Sequence, residues 1–363
     1  MKVALVYDYL NQYGGGERVL QIFLEMWPKA DLYTLFFDEK KLGKEIDSLR
    51  IKGMSSLNKK FIRNNHHLFI PFMPKATEMI DLEDKYDLII SITAGYAKGI
   101  KYSKGKHICY CFTPLRYAWE ADNYLSGKFG RGYIIIKPIL KPLIDYLKKW
   151  DRKMGQKPDK IIAISELVKN RVEKYYDRLS PIIYPPVDTK KFYNSIPYLE
   201  REYYLAGGRM VHYKGFEMII EAFNKMGLPL VLVGRGPKLK YLKKINKSPN
   251  TKFVEDFKND EEMREIYNRA KGLIFPQVED FGLVALEAIA CGTPIIVYEK
   301  SGAKEILVEG INGLVIKKQS STAIIETVRD LENYNWNSLE IEDTAQKFSR
   351  EIFEEKIKKM IFK

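Results

Sequence analysis

Two glutamates, Glu279 and Glu287, stand eight positions apart in a segment that runs from a loop into a helix. Gly282 and Leu283 open this helix, and the free N–H groups of a helix start can face an anion or a sugar hydroxyl. Each carboxylate can accept paired hydrogen bonds from hydroxyl groups. One carboxylate could do so near a sugar and the other near a ribose. Because this spacing occurs in many helices, its meaning depends on the rest of the chain.

A second group of residues could hold phosphate. Arg209 and Lys214 lie five positions apart in the glycine-flanked loop GGRMVHYKG, which opens a helix at Phe216. Arginine offers a fork of donors and lysine a point charge, so two cations beside a helix N-terminus can clamp a diphosphate. The alternative is a solvated basic loop.

A run of three glycines, Gly14, Gly15 and Gly16, follows the first predicted strand. Glycines there permit a tight turn and let backbone N–H groups approach a phosphate. The run matches neither the dinucleotide fingerprint G-x-G-x-x-G nor a P-loop. A purely structural turn therefore remains an alternative.

Short apolar runs alternate with helical stretches, which is typical of a parallel sheet covered by helices on both faces. In the first half the predicted strands are residues 2–7, 88–92, 107–111 and 160–164. In the second half they are residues 204–206, 228–233, 252–254, 272–275, 294–297 and 313–316. The helices named by the pattern are residues 217–225, 263–270 and 351–363. The predicted fold class is α/β, with two Rossmann-like domains that face each other across a cleft.

A proline-rich polar segment, residues 182–204, interrupts the alternation and indicates an interdomain connection. We therefore divide the chain into residues 1–186 and residues 187–346. The composition, 45% hydrophobic and 29% charged, is that of a globular protein and excludes a disordered or disulfide-rich chain. The three cysteines are expected to be reduced and structural, which favours a cytoplasmic protein. No apolar run is long enough to span a membrane.

The net charge of +13 is unevenly distributed. Residues 1–186 hold 32 Lys and Arg against 21 Asp and Glu, or +11, whereas residues 187–363 hold 28 against 26, or +2. The excess of positive charge in the first half predicts an anionic partner there, such as phosphate, nucleic acid or an acidic membrane surface.

Several of these segments resemble one family. EDFGLVALEAIACGTPII resembles the E-x7-E motif of glycosyltransferase family 4, whose members are retaining enzymes of the GT-B fold, and GGRMVHYKG resembles its diphosphate-binding loop. A subgroup with mannosyltransferases of surface-polysaccharide assembly is similar in VYDYLNQYGGGERVL, CYCFTPLRYAWE, IIYPPVD, AFNKMGLPLVLVGRGPKL and SGAKEIL. The resemblance covers nearly the whole chain in the correct order. It is more specific for fold and reaction type than for the sugar.

The resemblance implies a diphosphate site with contributions from both halves. Gly15 and Gly16, with Gly14 beside them, would approach the donor diphosphate from the first domain. Arg209 and Lys214 would hold the diphosphate and stabilise the departing nucleoside diphosphate by charge.

The same resemblance implies sites for the sugar and the ribose. Glu279, with the backbone of Phe281, Gly282 and Leu283, would hold the hydroxyl groups of the donor sugar. Glu287 would bind the ribose. Together with the two cations, Glu279 would form the catalytic set, and neither a metal nor a cofactor beyond the GDP- or UDP-sugar co-substrate would be needed.

One position departs from the subgroup. Phe112 stands where a histidine is common, in the run Phe-Thr-Pro-Leu-Arg-Tyr that includes Arg116. That histidine usually meets the donor sugar or the acceptor, so Phe112 and Arg116 mark the expected acceptor side. His107 lies five positions upstream on a predicted strand, too far to be a simple substitute.

The acceptor is expected against the basic first domain. Residues 55–76 and 128–157 interleave Lys and Arg with aromatic and aliphatic side chains, which suits an anionic leaflet at about 1 kcal/mol per cation. A solvated helix face is the alternative. Nucleic acid is not expected, because no binding motif accompanies the charge. We therefore predict peripheral attachment to the inner face of the cell membrane and a lipid-linked or growing glycan as acceptor.

The leading hypothesis is a retaining, metal-independent hexosyltransferase, with mannose from GDP-mannose as the first donor to consider. A second hypothesis keeps the fold and uses a UDP-sugar. A third is a catalytically silent nucleotide-binding subunit of a transferase complex, which the exchange at Phe112 motivates. The resemblance also leads us to expect that the C-terminal helix, residues 347–363, packs back on the first domain.

Overall fold

The computed structural model describes residues 1–42, 46–122, 133–255 and 259–362. The chain forms two compact units, Met1–Tyr184 with Ile357–Lys363, and Pro185–Lys356. The C-terminal helix is thus divided between the units, and residues 347–356 belong to the second. The reason lies in contacts of Phe348, whose carbonyl accepts a hydrogen bond from Val187 at 2.9 Å and whose ring meets that of Phe281.

The first unit contains a parallel sheet of six strands within the described residues. The strands are β1 (Val3–Leu10), β2 (Asp31–Phe37), β3 (Ile51–Met54), β4 (Leu88–Thr93), β5 (Lys106–Cys111) and β6 (Lys160–Ala163). The helices are α1 (Gly15–Met26), α2 (Glu39–Leu42), α3 (Lys60–Asn64), α4 (Met73–Glu78), α5 (Arg116–Trp119), α6 (Tyr133–Met154) and α7 (Glu166–Tyr176).

The second unit repeats this plan. Its strands are β7 (Tyr203–Gly207), β8 (Leu230–Val233), β9 (Thr251–Val254), β10 (Ala270–Phe275), β11 (Ile295–Tyr298) and β12 (Gly313–Ile316). Its helices are α8 (Phe216–Met226), α9 (Leu239–Ile245), α10 (Asp260–Asn268), α11 (Leu283–Ala290), α12 (Ser321–Glu332) and α13 (Ser338–Asp343), followed by α14 (Arg350–Phe362), which spans both units.

The strand orders confirm the predicted α/β class with two Rossmann-like units. The first sheet runs β3-β2-β1-β4-β5-β6 and the second runs β12-β11-β10-β7-β8-β9. If β7 is counted as the first strand of its unit and the second sheet is read from its other edge, the two orders are the same. This is the Rossmann order, in which a ligand binds at the carboxyl ends of the two strands where the winding reverses. Those strands are β1 and β4 in the first unit, and β7 and β10 in the second.

Two strands of the first sheet escaped the sequence analysis. β2 begins with Asp31 and is rich in aromatic residues, so it lacks the plain aliphatic pattern of its neighbours. β3 is a four-residue edge strand of half-buried and exposed residues in alternation. Short edge strands are poorly marked in a sequence because they bury little apolar surface.

A buried ion pair fixes the segment after β5. Lys98 Nζ lies 2.6 Å from Asp151 Oδ1, and neither side chain is exposed. Asp151 also accepts hydrogen bonds from Trp119 Nε1 at 2.7 Å, from Tyr176 Oη at 2.8 Å and from the backbone N–H of Leu115 at 3.2 Å. The carboxylate therefore holds helix α5 and the turn before it in place, since a buried charge persists only when it is well paired.

The three cysteines, all in the described part of the chain, are buried and unpaired with one another. None of the helices in the described ranges is long and apolar enough to cross a lipid bilayer.

Candidate active site

The loop after β7 carries the two predicted cations. Met210 is fully buried and fastens the loop, because its backbone N–H donates to the carbonyl of Arg235 at 2.8 Å. Arg209 beside it is exposed. Lys214 closes a short 3-10 helix, His212–Lys214, and helix α8 follows directly. The sequence prediction of a basic loop opening a helix is therefore correct in its local structure.

Lys214 and Glu279 form a direct ion pair across the two central strands of the second sheet. They follow β7 and β10, which are hydrogen-bonded neighbours in the sheet. The pair is largely enclosed, with 13% of the Lys214 side chain and 19% of the Glu279 side chain exposed. The two lie 65 positions apart in the chain, and the winding of the sheet brings them together at the predicted ligand-binding edge.

The backbone of the Glu279 loop is held by the segment after β11. The Glu279 N–H donates to Ser301 Oγ at 3.1 Å, and its carbonyl accepts from the Gly302 N–H at 2.8 Å. Gly282 then begins helix α11 from the left-handed region, at φ 99°, beside the ring of Phe275 and the methyl group of Ala303. A side chain at residue 282 would be strained and would meet Ala303 at 2.8 Å. The loop is therefore fixed from both sides.

Glu287 lies within α11 and is only 7% exposed. Tyr267 Oη of helix α10 donates a hydrogen bond to Glu287 Oε2 at 2.8 Å. The first turn of α11 packs near the end of β7, where Val284 Cγ1 lies 3.8 Å from the position of a Cβ on Gly207. Phe281, expected to offer its backbone to the sugar, buries its own side chain. Leu283 is the first residue of the helix and is half-buried.

In the first unit, Gly16 is the closely packed member of the glycine run. Gly14 is the N-cap of α1, and Gly15 is its first residue. A Cβ on Gly16 would lie 2.5 Å from Tyr7 Oη and 3.3 Å from Phe112 Cε2. Only glycine therefore fits at residue 16 without displacing the tyrosine of β1.

Glu17 completes this cluster and was not among the predicted site residues. Its carboxylate accepts a hydrogen bond from Tyr7 Oη at 2.9 Å and further ones from the backbone N–H groups of Gly14 and Glu17 itself. The side chain is 5% exposed, and burial raises the pKa of the carboxyl to about 7. A glutamate three residues after an N-cap commonly caps its own helix, so this spacing was a usable signal.

The expected acceptor-side residues follow β5. Phe112 is half-buried and meets the ring of Tyr110 edge-on at 5.8 Å between centroids. Arg116 is the first residue of α5 and is half-buried. Thr113 between them accepts a hydrogen bond from Arg171 at 3.2 Å, and Arg171 also pairs with Glu120 at 2.5 Å. These contacts hold residues 113–120 in place, and no histidine takes part in them.

His107 is fully buried near the amino end of β5, whereas Phe112 follows the carboxyl end. Its Nε2 is 2.8 Å from Ser91 Oγ and its Nδ1 is 3.0 Å from Tyr102 Oη. Burial lowers the pKa of the imidazole to about 3, so the ring is neutral at physiological pH. That His107 does not replace the subgroup histidine stays a prediction.

Within each unit, the structure thus joins some predicted residues directly. Lys214 and Glu279 form an ion pair, and a Cβ on Gly16 would lie 3.3 Å from Phe112. Three residues of these clusters were not predicted, namely Tyr7, Glu17 and Tyr267. Glu17 accepts hydrogen bonds from Tyr7 and from the backbone of Gly14, and Tyr267 donates one to Glu287. In the described ranges, no three His, Cys, Asp or Glu side chains are grouped as metal ligands would be.

Comparison with known proteins finds a family that the second unit matches. Residues 188–351 match the family described as Glycosyl transferases group 1. The match lies within the second unit and covers less than half of the chain.

Relatives and solved structures agree with this match. The chain is 27% identical over 201 residues to an uncharacterized glycosyltransferase of Methanocaldococcus jannaschii, covering 54% of this chain and 56% of that protein. It is 28% identical over 159 residues to the O-antigen chain mannosyltransferase C of Escherichia coli, covering 42% of each. The chain thus matches about half the length of these relatives. The crystal structure of Anabaena HepE in complex with UDP and glucose has the same fold, with a TM-score of 0.70 at 15% identity over 99% of both chains.

Proposed function

We propose that the protein is a retaining glycosyltransferase that moves a hexose from a nucleotide sugar onto a lipid-linked or growing surface glycan. The observation that carries the proposal is the Lys214–Glu279 ion pair at the switch point of the second sheet, inside the part of the chain that matches glycosyl transferases group 1. A cation there meets the diphosphate of a donor, and a carboxylate beside it accepts hydrogen bonds from sugar hydroxyls. The exposed Arg209 in the same loop adds a second charge.

The reaction we propose proceeds on one face of the sugar. The bond between the anomeric carbon and the diphosphate oxygen breaks, and an acceptor hydroxyl oxygen bonds to the same carbon from the same side. The acceptor proton passes to the departing diphosphate. Arg209 and Lys214 neutralise the negative charge that grows on the leaving group, a task that a metal ion performs in other enzymes. Turnover that survives a chelator would support this metal-independent scheme.

The structure pairs the Lys214 ammonium group with the Glu279 carboxylate. A donor diphosphate must therefore compete with Glu279 for the ammonium group, and the sugar hydroxyls then take over the carboxylate. This exchange favours a donor that carries both groups over a free nucleoside diphosphate. It gives the enzyme a physical means of preferring substrate over product.

Mannose is our first choice of donor sugar, since one relative is named as a mannosyltransferase. A UDP-sugar is the second choice, because Anabaena HepE was solved with UDP and glucose. Members of the resembled family read the base mainly through backbone groups of loops, here such as residues 255–257. Residues 256 and 257 lie outside the described residues. Calorimetric titration with GDP, UDP and their sugars would separate the two choices, and failure of all four ligands to bind would refute the proposal.

A catalytically silent subunit is the rival function. It would bind a nucleotide through Lys214 and leave every donor intact. Release of nucleoside diphosphate from a donor, measured with the K214A variant as control, decides between the two. Tight binding without turnover on any acceptor would favour the silent subunit.

We further propose that the first unit binds the inner face of the cell membrane. Residues 48–77 contain six Lys and Arg and no Asp or Glu. Within and just after this stretch, large apolar side chains are exposed, namely Phe61 (67%), Leu68 (62%), Phe72 (59%) and Met79 (61%). Phe69 links two of them, since its ring lies 6.3 Å from that of Phe61 and 6.5 Å from that of Phe72. Exposed apolar groups among cations suit an anionic leaflet.

The second predicted membrane segment, residues 128–157, is described only from residue 133 onward. It contributes exposed Ile139 and Tyr146 on α6.

Sedimentation with liposomes tests this attachment. Wild-type protein should sediment with vesicles that contain acidic lipid and much less with neutral vesicles, and F61S/F72S should sediment less than wild type. Leu179 is 81% exposed elsewhere on the same unit, so L179S is the matched control. Equal sedimentation with both kinds of vesicle, or equal loss in the control, would refute the membrane surface.

A further inference from the structure

Tyr267 is almost completely buried, with 1% of its surface exposed, and its hydroxyl is aimed at a carboxylate. The hydroxyl donates to Glu287 Oε2 at 2.8 Å, and Glu287 is itself 7% exposed. A buried carboxylate needs such a donor to remain ionised and in one orientation. Neither the sequence nor the family motif points to a tyrosine twenty residues before Glu287.

The helices that carry these two side chains are also fastened at their ends. The guanidinium of Arg201, 3% exposed, donates to the carbonyls of Tyr267 at 3.3 Å and Cys291 at 2.9 Å. Thr293 Oγ1 donates to the same Tyr267 carbonyl at 2.7 Å. Tyr267 lies near the end of α10, and Cys291 caps the end of α11. Arg201 therefore fixes one helix end against the other, and the hydroxyl of Tyr267 has little freedom to leave Glu287.

We propose that Tyr267 is a positioning residue for the nucleotide, which holds Glu287 in the orientation that accepts hydrogen bonds from the ribose hydroxyls. This inference rests on the proposed function, in which Glu287 binds the ribose. A carboxylate has about four acceptor positions on its two oxygens, so a bond to Tyr267 is compatible with bonds to vicinal hydroxyls. The tyrosine acts on the ribose only through the carboxylate. Its removal should weaken ribose recognition and leave the diphosphate contacts of Lys214 unchanged.

A merely structural hydrogen bond would have a different signature. It would lower stability and would weaken the binding of all nucleotides by the same factor, whether or not they have ribose hydroxyls. The test is therefore a comparison of GDP, or UDP if that is the preferred base, with its 2′,3′-dideoxy analogue.

We expect wild-type protein to bind the ribonucleotide about tenfold more tightly than the dideoxy analogue, as for hydrogen bonds to a charged group. In Y267F that ratio should fall toward one, through weaker binding of the ribonucleotide. In steady-state assays the variant should raise the KM for the donor and leave kcat close to that of wild type. Y203F is the matched control, since Tyr203 Oη donates to the carbonyl of Ile266 at 3.0 Å, one residue from Tyr267, and does not depend on Glu287.

A second comparison guards against a general loss of structure in Y267F. If Tyr267 acts through Glu287, the double variant Y267F/E287Q should bind the ribonucleotide no more weakly than E287Q alone. An unchanged ribose-to-dideoxy ratio in Y267F, or an additive double variant, overturns the inference and leaves the proposed function intact. Failure of the wild type to bind any nucleoside diphosphate overturns both.

Discussion

The buried carboxyl of Glu17 makes the stability of the first unit depend on pH in a definite direction. Burial raises the pKa of this carboxyl from its ordinary 4.5 to about 7. Below the ordinary value, the carboxyl is protonated in the folded and unfolded chain alike. As the pH rises, the unfolded chain releases the proton first, so stability falls until the pH has passed the folded pKa. The two pKa values imply a loss of about 3 kcal/mol across this interval.

Glu17→Gln removes the titration and keeps the shape. A glutamine at the same position can still accept from the backbone of the N-cap and can contact the hydroxyl of Tyr7. We therefore expect E17Q to gain stability over wild type as the pH rises from about 4.5 to about 8, by about 3 kcal/mol in total. The gain should level off above about pH 8, where Glu17 is almost fully ionised in both states.

Urea unfolding followed by tryptophan fluorescence reports on the correct unit. Three of the four tryptophans, Trp27, Trp119 and Trp150, lie in the first unit, and Trp336 lies in the second. E25Q on the exposed end of the same helix is the matched control and should follow the wild-type curve. A difference between E17Q and wild type that stays constant with pH would refute the account of Glu17 as a desolvated carboxyl.

Three further predictions address other parts of the site. Glu279→Gln frees Lys214 from its ion pair. Calorimetry should show that the free nucleoside diphosphate binds several-fold more tightly, while donor turnover falls at least about tenfold. Weaker diphosphate binding would contradict the proposed competition between Glu279 and the diphosphate for Lys214. Gly16→Ala places a Cβ 2.5 Å from Tyr7 Oη and should lower the free energy of urea unfolding by about 1–3 kcal/mol. G14A is the control and should lower it less, because its Cβ meets only Glu17 Oε2 at 3.3 Å. Equal losses of stability would argue against the tight packing. Burial lowers the pKa of His107 from its ordinary 6.5 to about 3, so the unfolded chain takes up a proton first as the pH falls. By about pH 5 the free energy of unfolding of wild type should have fallen by about 2 kcal/mol relative to that of H107Q. Parallel curves of unfolding free energy against pH would contradict the buried, neutral ring.

The alternation of strands and helices was readable in the sequence because parallel strands buried on both faces form plain apolar runs. β10 and β11 were found in this way. β2 and β3 were not, since an aromatic strand and a four-residue edge strand lack that mark. The local structure of the glycine-flanked cation loop and of the start of α11 also followed from glycine placement.

The contacts within the site were beyond the sequence for a physical reason. Lys214 and Glu279 each stood out as a charge beside a helix start, yet their pairing depends on the order in which β7 and β10 lie in the sheet. Tyr267 meets Glu287 only because two helices pack side by side, and helical periodicity alone does not specify which residues of two helices meet. Glu17 was the exception, since its position three residues after the N-cap was a local signal.

The most direct test of the proposed function is proton NMR of the slow hydrolysis of a nucleotide sugar, with water as the acceptor. GDP-mannose, which carries an α-linked sugar, and a UDP-hexose should be supplied in turn to the wild-type protein, with K214A in parallel. The account predicts that one donor releases its nucleoside diphosphate, that the α-anomer of the free sugar appears first, and that K214A is much slower. Initial appearance of the β-anomer, or equal rates in wild type and K214A, would contradict it.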